Sequence, residues 1–376
     1  MKKILSHRHL FAFAIFLLVF LFGCQKNVND SGGPGNPHGN NSTNTSPKEF
    51  KDFVQINLVG DNNEYSPVNI DANLVNGWGL DFPASGNIRV AAEGTGMSTI
   101  YTLDGNIAAT AIKIPGSNTS KDQSHPTGNV CNSSTDFKLP NGMAAQSIYV
   151  SEDGAITGWN SGNAAVKMVD RSPAASFFGI AIAKNGESNF LYVANFAQGR
   201  IDVYDSKWAP VNGSFSDPNL PAGYSPFNIQ NINGQLYVTY AKKNSSTGDE
   251  ETGQGKGYIN VFNTNGGLVK RFASQGKLNA PWGIAKAPTG FWGSGSQLAN
   301  MILVANFGDG RINVFDENGN FFDQLHSHGK VIEIDGLWGI AFPPPASFNS
   351  TYLYFTAGPD DETHGLFGYI KNFFLN

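Results

Sequence analysis

The sequence predicts an all-β chain folded as a six-bladed β-propeller. Three observations carry that expectation: a short strand motif that recurs six times, a hairpin signature after each copy, and a spare strand ahead of the first. The motif is an aromatic or small residue, then Gly, then an aliphatic residue. It reads Trp78-Gly79-Leu80, Phe178-Gly179-Ile180, Trp282-Gly283-Ile284 and Trp338-Gly339-Ile340, with weaker copies at Thr127-Gly128-Asn129-Val130 and Phe227-Asn228-Ile229. The central positions 79, 128, 179, 228, 283 and 339 are 49, 51, 49, 55 and 56 residues apart. Spacings of about 50 residues match propeller blades of four strands each.

Each copy is followed by an apolar strand, a polar turn containing Gly and another strand. Leu191-Tyr-Val-Ala-Asn-Phe-Ala-Gln-Gly-Arg-Ile-Asp-Val-Tyr-Asp205 and Ile302-Leu-Val-Ala-Asn-Phe-Gly-Asp-Gly-Arg-Ile-Asn-Val-Phe-Asp316 are near duplicates. Ile88 to Tyr101, Ile148 to Trp159, Leu236 to Phe262 and Leu353 to Tyr369 read the same way, as hairpins. Turns such as Asp316-Glu-Asn-Gly319 lead to an outermost strand. Blades pack face to face, so their strands are near-continuous apolar runs. The motif Gly lets the innermost strand crowd the hub, and the Trp or Phe beside it is expected to wedge against the next blade. Phe53 to Val59 precedes the first copy, and the last hairpin lacks a fourth strand. Adding the first strand to the last blade would close the ring and leave no open edge. The composition agrees: Gly is 44 and Phe 28 of 376 residues, charged residues are 15%, and no long stretch has helical period.

The N-terminus reads differently. Lys2, Lys3 and Arg8 precede an uncharged apolar run from Leu10 to Gly23. As a helix its 14 residues reach roughly 21 Å, short of the 30 Å of a bilayer core. It therefore reads as a secretory signal over residues 1–23. The edge Leu21-Phe22-Gly23-Cys24 resembles a bacterial lipoprotein signal, which implies acylation of Cys24 and attachment to the membrane through the acyl chains. Residues 24–49 form a polar Asn/Gly/Ser/Pro linker that cannot build a core, and residues 50–376 form the propeller. Cleavage removes Lys2, Lys3 and Arg8 and no acidic residue, taking the net charge from −5 to −8. That balance excludes nucleic acid as partner. Cys131 is the only other cysteine, so no internal disulfide forms, and it reads as a small apolar core residue.

The blades resemble those of NHL-type propellers. From about Asn73 to Ile370 the chain is similar to a family of secreted or anchored bacterial six-bladed propeller proteins. Asn76-Gly-Trp-Gly79, Glu152-Asp-Gly-Ala-Ile-Thr-Gly-Trp-Asn160, Gln235-Leu-Tyr-Val-Thr-Tyr-Ala241, Ala280-Pro-Trp-Gly283, Ala305-Asn-Phe-Gly-Asp-Gly310 and Glu362-Thr-His-Gly-Leu-Phe-Gly368 carry the similarity. It implies fold and export, and no chemistry.

In a propeller the loops joining second and third strands gather around the channel on one face. Register places there Glu93, Asp153, Asn195, Asp249-Glu250-Glu251, Asn306 with Asp309, and Asp360-Asp361-Glu362 with His364. Glu93, Asp153, Asn195, Asn306, Asp360, Glu362 and His364 are the candidate metal ligands, for Ca²⁺ or another divalent cation, since such ions take oxygen donors. Lactonase-type six-bladed propellers use a ring of this kind. The bland reading is turn capping and solvated loop tips. His326 and His328 flank Ser327 with no third ligand evident, and Arg200 and Arg311 hold equivalent repeat positions, as structural residues would. No Ser/His/Asp order, phosphate loop or zinc spacing is present. Trp159, Trp208 and Trp292 are candidates for an exposed aromatic ligand platform. The expectation is a monomeric, membrane-tethered extracytoplasmic binding or interaction module in a bacterial cell envelope, on the outer membrane, with a glycan or protein ligand on a loop face. The alternatives are a divalent-metal-dependent hydrolase of the lactonase type and a structural envelope component.

Overall fold

The computed structural model describes residues 52–373, apart from 84–85, 121–122, 294–295 and 297. The signal segment, Cys24 and the linker lie outside the described residues. Among these, strands form six small sheets and one additional two-stranded hairpin, and the chain is a six-bladed β-propeller.

The six motif copies are the six innermost strands, and each opens a blade that runs outward in chain order. Blade 1 is Gly77–Asp81, Ile88–Ala92, Met97–Tyr101 and Ile107–Lys113. Blade 2 is Pro126–Cys131, Ser147–Ser151, Ala155–Trp159 and Val166–Asp170. Blade 3 is Phe177–Asn185, Ser188–Asn195, Arg200–Asp205 and Pro210–Val211. Blade 4 is Tyr224–Ile232, Gln235–Lys243, Tyr258–Asn263 and Leu268–Ser274, with Glu250–Glu251 paired to its second strand. Blade 5 is Pro281–Lys286, Ile302–Asn306, Ile312–Phe315 and Phe321–Gln324. Blade 6 is Leu337–Ala341, Leu353–Ala357 and Leu366–Asn372, and its outer strand is Phe53–Gly60 from the other end of the chain. Phe53 pairs antiparallel with Asn372 and Gly60 with Leu366, so the first strand closes the ring.

Burial follows the radius. Ile88–Ala92 and Ile302–Asn306 are buried throughout, while the outer strand Ile107–Lys113 is mostly exposed. The core is shared between neighbouring blades: Ile148, Val150 and Ile156 of blade 2 pack with Phe177, Leu191 and Val193 of blade 3. The two faces of each sheet thus bury apolar side chains between layers, as the near-continuous strand runs require.

The motif glycines make a closed cycle of contacts. A Cβ on Gly79 would overlap Asn129, and one on Gly128 would stand 3.0 Å from the Gly179 Cα. One on Gly179 would overlap Asn228, one on Gly283 would stand 2.5 Å from the Trp338 carbonyl oxygen, and one on Gly339 2.5 Å from that of Trp78. The fourth copy carries Asn228 instead, and its amide uses the gap by donating to the Trp282 carbonyl at 2.9 Å. The weak copies are therefore local variants of one hub contact.

Candidate functional site

The residue before each hub position is Trp78, Thr127, Phe178, Phe227, Trp282 or Trp338. Sequence reasoning has these aromatics wedging against the next blade, and they do so while also meeting across the axis. Trp78 stacks on Trp338 of the neighbouring blade with centroids 3.5 Å apart, and it also meets Phe178 of blade 3 at 5.4 Å and Trp282 of blade 5 at 5.9 Å. Contacts between non-adjacent blades place the rings on the axis, where they plug the channel. The large rings fill a hub that no single blade can fill, and the burial of each is nearly complete.

The near-duplicate hairpins of blades 3 and 5 extend the plug. Each ends its second strand on Ala-Asn and follows it with Phe. Phe196 stacks on Phe178 at 4.8 Å, and Phe307 stacks on Trp338 at 4.0 Å. The corresponding loops of the other four blades bring Glu93, Glu152, Glu250 and Glu362. One end of the channel is thus an acidic mouth above an aromatic floor.

Asn76 joins the two layers. It is fully buried and left-handed, with φ 48°. Its amide nitrogen donates to Glu93 Oε2 at 2.9 Å and to Glu362 Oε2 at 2.8 Å, while its oxygen accepts from Trp338 Nε1 at 3.0 Å. The Trp78 and Trp282 indole nitrogens are buried in the plug without a hydrogen-bond partner. Glu362 is presented by three consecutive left-handed residues, Asp360, Asp361 and Glu362, with φ 55°, 50° and 66°. Side chains with a Cβ avoid that region, so the loop stores local strain where it aims the carboxylate.

Electrostatics follow from crowding. Burial first, then repulsion from Glu250 and Glu93, pushes the Glu362 carboxyl up to about 8. Glu250 is raised to about 7 by burial and by Asp249 and Glu152. Glu152 keeps access to water at the mouth, yet the surrounding wall and the Glu93 charge raise it to about 7. His125, at the entry to blade 2, is raised by its hydrogen bond to Glu93, a charge-assisted pair. Glutamates of four blades are therefore close enough to repel one another, and Glu152, Glu250 and Glu362 titrate near neutral pH.

Of the residues singled out from sequence, Glu93, Glu250 and Glu362 reach this mouth. Asp153 instead accepts the Ser117 backbone N–H and ties down a loop. Asn195 donates to Asp202 at 2.8 Å and accepts the Gln198 N–H; Asn306 donates to the Lys277 carbonyl at 2.8 Å and to Asp309 at 3.0 Å. Both asparagines are wholly buried turn caps. Asp360 is exposed, and His364 hydrogen-bonds Asp61, 2.8 Å away beside the closing strand, which raises its pKa. Among the described residues, no three His, Cys, Asp or Glu side chains stand close enough together to hold a metal ion. Asn76, His125, Glu152, Phe196 and Phe307 belong to the mouth without having been singled out. The duplicated Ala-Asn-Phe was the available signal for the two phenylalanines.

The tryptophan platform is corrected as well. Trp208 and Trp292 are buried at 8% and 3% exposure, and Trp159 is half-buried beneath the Arg89 guanidinium, 4.9 Å from its ring centroid. Trp208 and Trp292 offer no open aromatic face, because their rings are packed within the core. Arg200 pairs with Asp202 at 2.6 Å and Arg311 with Glu333 at 2.7 Å. His326 Nδ1 donates locally to the Gln324 carbonyl oxygen, 2.7 Å away.

No protein-family model matches the chain. Solved structures with the same fold include a streptogramin B lyase (12% identity, TM-score 0.50, covering 85% of this chain and 97% of that one). The soluble aldose sugar dehydrogenase of Escherichia coli aligns at 13% identity and TM-score 0.51, covering 85% and 99%. A structural genomics protein of unknown function from Bacteroides thetaiotaomicron aligns at 9% and TM-score 0.53, covering 85% and 76%. At such identities the likeness concerns the fold alone. Sequence relatives are nearer. Uncharacterized protein R648 of Acanthamoeba polyphaga mimivirus is 36% identical over 348 residues, covering 86% of this chain and 82% of that protein. Uncharacterized protein L690 of the same virus is 34% identical over 340 residues, covering 84% of each. The chain belongs to the family of six-bladed propeller proteins that includes these two mimivirus proteins.

Proposed function

We propose that the chain is an exported, lipid-tethered binding module and that its acidic mouth holds an organic cation. The observation that carries the reading is the convergence of Glu93, Glu152, Glu250 and Glu362, from four blades, over an aromatic floor, with three of the four held near neutral pKa. An ammonium or guanidinium group would relieve the mutual repulsion, and ring faces attract such cations. Lys243 supplies an internal instance: its Nζ lies 5.8 Å from the Phe196 ring centroid. Charge spread over several ångströms suits carboxylates on separate blades better than one small metal ion does. Export and tethering rest on the basic head, the apolar run from Leu10 to Gly23 and the Gly23-Cys24 edge.

The test is the unfolding temperature of the full chain at pH 8.5 with spermidine, agmatine, Ca²⁺, Mg²⁺, Mn²⁺ or Zn²⁺. A ligand of the native state at 100 times its Kd adds about 2.7 kcal/mol. An upward shift with an organic cation, reduced in Glu362→Gln, is expected. A shift with one divalent metal alone would favour the metal-dependent hydrolase and direct assays to lactones. No shift with any cation would contradict the binding reading.

A further inference from the structure

The other end of the channel is separate from the acidic mouth, because the aromatic plug lies between them. There the six innermost strands end around a funnel of about 610 Å³, within the size range of small-molecule sites. Its walls near the plug are aliphatic, from Leu80, Ile180, Ile284 and Ile340. The half-buried rings of Phe82 and Phe342 stand at the rim. Among the described residues that line it, Asp81 and Lys286 alone are charged. The Asp81 carboxyl is shut into the wall among Asn129, Cys131 and Ser147, with neither oxygen accessible. Lys286 is therefore the charge that the funnel presents.

Lys286 is half-buried at the end of the innermost strand of blade 5, and its ammonium has no hydrogen bond or ion pair among the described residues. Gln230, on the innermost strand of blade 4, is exposed, and its amide is likewise unpartnered among the described residues. Alternation along the strands turns both toward one gap. Gln230 shares the face of Ile232 and of Asn228, whose amide reaches the Trp282 carbonyl of blade 5. Lys286 shares the face of Ile284, which packs with Ile232 in one cluster. Both polar groups thus leave their strands between blades 4 and 5, and both line the funnel. Lys286 also lines a side hollow of about 280 Å³ in that gap, with Lys270 and Glu317. Lys270 donates to the Glu317 carbonyl oxygen at 2.5 Å, while the Glu317 carboxylate is exposed and pairs with neither lysine. Two ammonium groups against one solvated carboxylate leave the gap positive.

This set defines the ligand chemistry. An ammonium and a primary amide both donate N–H, and a carboxylate can accept from both at once through its two oxygens. The aliphatic walls beyond them take an apolar chain out of water. We propose that the funnel is a second ligand site, which takes an aliphatic carboxylate with its head on Lys286 and Gln230 and its chain along Leu80, Ile180 and Ile340. The channel thereby offers opposite charges at its two ends.

Titration calorimetry on the full chain tests it with hexanoate, octanoate, decanoate and dodecanoate below their micelle concentrations, and with octanol as the uncharged control. Each added CH₂ is expected to lower Kd about fourfold until the chain fills the funnel. Octanol should bind about tenfold or more weakly than octanoate, for lack of the charge-assisted contact. Lys286→Met keeps an apolar stem and removes the charge, so it should weaken octanoate about tenfold and leave octanol unchanged. Gln230→Glu, at an exposed position, gives Lys286 a carboxylate of its own and should weaken octanoate as much. Glu362→Gln, at the other mouth, should change neither. The proposal is overturned if no alkanoate binds, if octanol binds as tightly as octanoate, if octanoate binding survives both Lys286→Met and Gln230→Glu, or if Glu362→Gln removes it.

Discussion

Replacing Gly368 by valine is expected to open the propeller. Gly368 lies on the last strand of blade 6, opposite Asn57 of the closing strand. A Cβ there would overlap the Ile56 carbonyl oxygen and stand 2.8 Å from the Phe355 ring. The closing strand cannot then dock in register. Its docking buries Phe53, Leu58 and Val59 almost completely, and fully burying such side chains contributes about 1.5–3 kcal/mol each. The loss should exceed about 5 kcal/mol, comparable with the whole stability of many domains, and it exposes an unpaired edge that invites aggregation. Denaturant unfolding should show loss of the cooperative transition or failure to recover soluble protein. A midpoint equal to wild type would mean that the first strand does not hold the ring shut.

Trp338→Ala is expected to cost about 3–5 kcal/mol, the range for truncating a large buried aromatic. Trp338 is fully buried and stacked by both Trp78 and Phe307, so its removal empties the centre of the plug. Trp338→Phe separates two roles. It keeps a ring in the stack and removes only the indole N–H that Asn76 accepts. Stability should fall by about 1–3 kcal/mol, the cost of one orphaned buried acceptor. Cation binding at the mouth should also weaken, because Asn76 positions Glu93 and Glu362. Equal stability of the alanine variant and wild type in chemical unfolding would show that the aromatic plug does not support the hub.

The fold was legible because its cause is periodic. A glycine is required wherever an inner strand meets the next blade, so Gly79, Gly128, Gly179, Gly283 and Gly339 recur at blade spacing. Asn228 breaks the pattern and remains readable because its neighbours keep it. The aromatic plug was half legible: the rings were visible, but sequence order reports neighbouring blades and says nothing of contacts across an axis, such as Trp78 with Trp282. The mouth was less legible for a similar reason. Glu152 and Asp153 are adjacent, and only the strand register decides which faces the axis and which receives the Ser117 N–H. Asn195 and Asn306 occupy equivalent repeat positions and cap their own turns, as repetition suggests of a structural role. Asn76 is invisible as a site residue because its importance lies in its contacts. One comes from a loop 17 residues away and another from a loop 286 residues away.

The glutamate mouth is tested most directly by the pH dependence of stability in wild type and Glu362→Gln. A carboxyl whose folded pKa is raised, here from 4.5 to about 8, binds its proton more tightly when folded. Its ionisation therefore costs stability progressively as pH rises from about 4.5 to about 8, and the cost is constant above that. Glutamine keeps the acceptor for Asn76 and removes the charge. The variant should match wild type near pH 4 and be more stable by about 1–3 kcal/mol at pH 9, a figure discounted for the partial exposure of the group. A difference that does not change with pH, or a variant less stable at pH 9, would contradict the convergence of these four carboxylates on one mouth.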